Sequence, residues 1–142
     1  MDITQENLFD GDLFDPYSFI HIINGFNISL FLELFVTKDD TKIFICGSIF
    51  HLLYEIKDFS IRYKIISKKP TVLPFITYDY SRNTLLNSMG DQIFHTIGYY
   101  IYLNIRKKNE FTKNQCIIIF LISNIFGYFV IEIYNKNTSK KN

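Results

Sequence analysis

Histidines, carboxylates and amides recur at helical spacing at three places in this chain. His21 and Asn24 stand three apart and lead into Gly25. Ser48, His51, Glu55 and Asp58 follow at i, i+3, i+7 and i+10, and Asn87, Asp91 and His95, within the stretch NSMGDQIFHTIG, fall at i, i+4 and i+8. At 3.6 residues per turn each set lies along one stripe of a helix. Carboxylate oxygens together with imidazole suit a divalent ion such as Mg, Mn or Zn, and the expected metal-ligand set is His21, Glu55, Asp58 and Asp91. The wider polar cluster adds Asn24, His51, Arg62, Asn87 and Ser88. Asn87 and Ser88 lie within a turn of Asp91 and can orient its carboxylate. Two or three carboxylates in a weakly polar site cannot all stay ionised without a positive partner, so they require either a cation or an arginine, here Arg62. Taken singly, each residue also has a plain structural reading, since Asn and Ser on an inner helix face often only bond between helices.

The elements that carry these stripes are strongly apolar. Residues 116–134, CIIIFLISNIFGYFVIEIY, hold one charge over a length close to the ~20 residues that span a bilayer. Residues 19–36 form a second such run, interrupted by His21, Asn24, Asn27 and Glu33, and residues 85–105 a third, polar at its start. The run 43–56 is shorter and falls in the ~10–14 residue range where a buried or re-entrant helix competes with a true span. The expectation is an all-α, polytopic membrane bundle of about four helices at 18–36, 42–58, 85–105 and 115–134. An acidic segment, 1–17, precedes this helical domain (18–134), and a polar tail, 135–142, follows it. The alternative is a compact soluble domain, helical or mixed, with an Ile- and Phe-rich core.

Composition narrows the function classes. The 142 residues suit one domain, and a net charge of +1 leaves no electrostatic footprint for nucleic acid. The mean hydropathy of +0.08 averages over segments that are sharply unlike one another. Cys46 and Cys116 lie far apart within apolar runs, which excludes a C-x-x-C zinc or redox motif and reads as packing. The chain opens with Asp2, Glu6, Asp10, Asp12 and Asp15 in place of a basic leader, so no cleaved signal is expected. A basic connector at 57–84, with Pro70 and Pro74 as helix breakers, separates the second and third runs. With four spans, nine Lys and Arg residues fall on the side of the termini and this connector and six fall on the other, which puts both termini in the cytoplasm.

Several of these stretches resemble one another's counterparts in a known family. DPYSFIHIINGF at 15–26 resembles the element D-W-Y-[ST]-F-S-H-I-I-H-G-F of an uncharacterised bacterial multi-pass membrane family, domain of unknown function 2585. YEIKD at 54–58 with Arg62 and Tyr63 is similar to its W-E-x-x-E-N followed by R-Y-R, and DYSRNTLLNSMGD at 79–91 to its D-Y-F-G-D-S-x-x-N-S-x-x-D. GYFVIE, beginning at Gly127, resembles its G-Y-M-I-R-D. Asn24 stands where the family has a second histidine, and Asn83 where it has an aspartate. The resemblance implies a multi-pass membrane protein and names no reaction.

Two function classes follow. One is a non-catalytic membrane protein with a transport, channel or assembly role, whose polar residues form an intramembrane cluster near one face. The other is a membrane-interface enzyme acting on a lipid headgroup or another anionic substrate with a divalent metal, Arg62 contacting phosphate. The absence of a nucleophile–base pair at a recognisable spacing favours the first. Membrane lipid is the expected partner in either case.

Overall fold

In the computed structural model the described residues are 13–14, 17–62, 84–109 and 111–138. They form an all-α, four-helix protein: α1 (Ser18–Phe35), α2 (Asp40–Arg62), α3 (Leu85–Lys108) and α4 (Lys113–Thr138). The acidic segment before residue 13, the connector expected at 57–84 from residue 63 onward, and the tail after residue 138 lie outside the described residues, apart from Thr84.

Each helix after the first starts at a side chain that satisfies a free backbone N–H. Asp39 accepts from the Lys42 N–H at 3.0 Å and opens α2. Thr84, extended at ψ 167°, accepts from the Asn87 N–H at 3.0 Å and opens α3. At α4 the pattern is reciprocal: the Thr112 hydroxyl accepts from the Gln115 N–H, and the Gln115 side chain accepts from the Thr112 N–H at 2.9 Å. This is a capping box, legible in the sequence as T-x-x-Q. The last turn of α3 carries Arg106, Lys107 and Lys108, whose charges oppose the negative end of the helix dipole. The second helix is longer than the expected 42–58. Capped at Asp39, it meets no proline before Arg62, and Gly47 lies in mid-helix where a single glycine does not end it, so its polar end continues the helix beyond the apolar run.

Successive helices run in opposite directions. Arg106 at the end of α3 bonds the Lys38 carbonyl in the α1–α2 turn, while Ser18 at the start of α1 bonds Asp91 near the start of α3. For α4, Ser123 donates to the Asn27 side chain at 2.6 Å, and Phe126 meets the ring of Phe19, so its later half lies beside the beginning of α1.

The closest approach is between α1 and α3, and glycine permits it on both sides. A Cβ on Gly25 would sit 2.0 Å from the carbonyl oxygen of His95, and a Cβ on Gly98 would sit 2.0 Å from that of Ile22. Backbone therefore touches backbone, which only glycine allows.

The interior is divided along the bundle axis. One half holds an apolar and aromatic cluster of Leu30, Leu32, Ile43, Tyr99, Tyr102 and Cys116. The other half is polar. Among the described residues eleven polar or charged side chains are buried against seven apolar ones, and the large apolar side chains point outward instead: Ile49, Phe50, Leu52 and Leu53 on α2, Ile93, Ile97 and Ile101 on α3, and Ile118, Leu121, Ile122, Ile125 and Phe129 on α4. Two helices, Ser18–Phe35 and Lys113–Val130, are long and apolar enough to cross a membrane by length and composition. In α2 and α3 the polar stripe dilutes the apolar residues that cover the outer face.

Candidate functional site

The polar half is built by three helices. α1 contributes Ser18 and His21, α2 contributes His51, Glu55 and Asp58, and α3 contributes Asn87, Asp91, Gln92 and His95. His21 is drawn toward α3 because Gly25, one turn later, lets α1 settle on the α3 backbone.

At the centre the Nδ1 of His21 and the Nε2 of His51 face each other at 2.7 Å. The Oε1 of Glu55 lies 3.5 Å from the His51 nitrogen and 3.7 Å from the His21 nitrogen. These three side chains are 3–6 % exposed, and their ligand-type atoms lie within 4.8 Å of one another, close enough to hold one metal ion. The outer nitrogen of each imidazole faces an oxygen. His21 Nε2 is 3.4 Å from Asp91 Oδ2, and His51 Nδ1 is 2.9 Å from Gln92 Oε1. The second oxygen of Asp91 accepts from the Ser18 hydroxyl at 3.1 Å. His95 stacks on His51 with ring centroids 4.3 Å apart and reaches the backbone of Gly47.

Of the four expected metal ligands, His21 and Glu55 stand at the centre. Asp91 stands behind His21, and Asp58 turns to Lys57, whose Nζ is 2.7 Å away. His51, expected only in the wider cluster, is central. Asn87 is buried where its backbone takes the Thr84 cap, Ser88 lies beside Glu55, and Arg62 closes α2 half-buried. Asn24 is half-buried on α1 and makes no polar contact with the centre among the described residues. Ser18, Gln92 and Lys57 were not singled out by spacing. Gln92 lies one position off the Asn87–Asp91–His95 stripe, at the edge of the face that α2 covers.

A serine beside a histidine and an aspartate invites comparison with a hydrolytic triad, and the bonding order differs from one. The Ser18 hydroxyl donates to the Asp91 carboxylate, whereas in such a triad the serine bonds to the imidazole and the imidazole to the carboxylate.

A second polar network lies at the opposite end. Arg106 on α3 reaches Glu33 on α1 at 2.8 Å, Asp40 at the start of α2, and the Lys38 carbonyl at 3.0 Å. The Tyr102 hydroxyl donates to the other oxygen of Glu33 at 2.5 Å, and Tyr99 donates to the Asp40 carbonyl at 3.1 Å. This arginine was expected in a turn. Instead α3 continues past the apolar run to Lys108 with Arg106 in its last turn, and the long side chain reaches Glu33 of α1 and Asp40 of α2.

No family model, curated protein or solved structure matches the chain.

Proposed function

We propose that the chain is an integral membrane protein whose four helices cross the bilayer in alternate directions, and that its polar centre is a non-catalytic ion-handling site serving transport, channel or assembly. The observation that carries this reading is the reversed distribution of side chains, with His, Glu, Asp, Asn and Ser inside and Ile, Leu and Phe outside. Large apolar side chains on this many outward positions are unfavourable in water, whereas in lipid they are not. Ionisable groups inside a bilayer turn toward the bundle interior and find partners there, which is the arrangement of His21, His51, Glu55 and Asp91.

Extraction of membranes at high pH with carbonate tests the assignment. The chain should stay in the membrane pellet and leave it only with detergent; release into the supernatant would overturn the membrane reading.

The basic residues predict the orientation of the spans. In a cysteine-free background, a cysteine replacing Asn109, between α3 and α4, should react with an impermeant reagent from outside the cell, and one replacing Ser67 only after the membrane is opened. Labelling of both from one side would remove a span, and α2 with its short apolar run is the helix at stake.

A further inference from the structure

We infer that His21, His51 and Glu55 form a binding site for one divalent transition-metal ion of the zinc class, with Asp91 and Gln92 as the groups that hold the two imidazoles in the metal-binding tautomer. The inference deepens the proposed ion-handling role and rests on it only in placing the ion within the membrane.

The geometry comes from three distances. A triangle with sides of 2.7, 3.5 and 3.7 Å has a circumradius of about 1.9 Å. An ion lifted roughly 0.6 Å out of that plane would sit about 2.0 Å from both nitrogens and the carboxylate oxygen, the distance zinc keeps from such ligands. The His–His edge is shorter than the ~3.3 Å edge of a regular tetrahedron at that bond length, so loading opens this edge by about half an ångström. Two imidazoles and one carboxylate select against Ca and Mg, which prefer shells made of oxygen.

The hydrogen-bond partners point the same way. Asp91 can only accept when ionised, so it takes the proton on His21 Nε2 and leaves Nδ1 bare. Gln92 Oε1 likewise takes the proton on His51 Nδ1 and leaves Nε2 bare. Two bare nitrogens then face each other at 2.7 Å beside a carboxylate, an arrangement that repels unless positive charge sits among them. A metal supplies that charge, and a single proton shared by the two rings is its competitor. The carboxylate behind His21, itself held by Ser18, is the outer-shell partner that metal-ligating histidines commonly have. Three protein ligands leave at least one coordination position for water or for an exchangeable ligand, which suits an ion that is bound and released more than a closed structural site.

The test uses the full chain, purified in detergent without a polyhistidine tag, stripped with a chelator and titrated with Zn(II) or Co(II). We expect one equivalent of Zn(II) by elemental analysis and, with Co(II), the intense visible absorption of a low-coordinate site. His51→Ala and the isosteric Glu55→Gln should each abolish stoichiometric binding, and Asn24→Ala should leave it intact. Asp91→Asn should keep the stoichiometry but weaken affinity 10- to 100-fold, as loss of an outer-shell partner does. Circular dichroism of each variant shows whether it is folded, and if His51→Ala is not, Glu55→Gln with the wild-type Co(II) spectrum decides. Wild-type protein that takes up no metal, or that binds it no better than Glu55→Gln, overturns the site in favour of the shared proton. A chain that stays in the carbonate pellet yet binds no metal loses the metal site alone; one that binds metal but is washed off the membrane loses only the membrane reading.

Discussion

Gly98→Ala should prevent α1 and α3 from closing and lower thermal stability in detergent by upward of about 3 kcal/mol, beyond the usual range for one added methyl. The cost is large because the new Cβ would meet backbone: the Ile22 carbonyl oxygen at 2.0 Å, its carbon at 2.9 Å and the Phe26 nitrogen at 2.9 Å. A side chain in the way can rotate; a helix backbone can only withdraw as a whole. Gly25→Ala meets the backbone of His95 in the same manner and should behave alike. Gly127→Ala is the control, since its Cβ would meet only the tip of Ile23 at 3.4 Å, an ordinary contact, and should change stability by no more than about 0.5 kcal/mol. The same crossing brings His21 to Asp91, so Gly98→Ala should also weaken metal uptake without touching a ligand. Thermal unfolding followed by circular dichroism, with metal content on the same samples, measures both. Equal melting of the Gly98 and Gly127 variants would mean that the helices do not cross as closely as described.

Arg106→Ala should be the most damaging removal of a charge, at about 2–3 kcal/mol. Breaking a fully buried ion pair costs about 3–5 kcal/mol, and here the figure is discounted because the Arg106 and Glu33 side chains remain 24 % and 20 % exposed. The loss is not confined to one bond, since Arg106 ties α3 to Glu33 of α1, to Asp40 of α2 and to the turn between them. Without it Glu33 and Asp40 both lose this cationic partner. Lys107→Ala, on an exposed neighbour, should lie within about 0.5 kcal/mol of wild type. Coupling shows the mechanism: Glu33→Gln combined with Arg106→Ala should cost less than the two single effects together, because the carboxylate left unpaired by the first loss is gone in the second. Strict additivity would show that the pair does not stabilise the bundle.

The four helices and their polar stripes were legible in the sequence, for reasons that are local. Apolar runs set the number of helices, and spacing of three or four residues places His51, Glu55 and Asp58 on one face whatever α2 packs against; the starts of α2 and α4 lie two residues earlier than the apolar runs implied, at the caps Asp39 and Thr112. Which level of a stripe meets which level of its neighbour was decided by tertiary structure alone. It depends on the axial offset between helices, and the α1–α3 offset is fixed by where Gly25 and Gly98 allow backbones to touch, a relation between residues 73 positions apart. Hence the level of α2 facing His21 carries His51 and Glu55, while Asp58, a turn further on, is left to Lys57. Spacing treats these as equivalent members of one stripe. Gln92 is legible only as the partner of His51, because its part depends on a ring from another helix. For Arg106, composition records a charge near a turn, and only the packed bundle brings that charge onto Glu33 and Asp40 from two other helices.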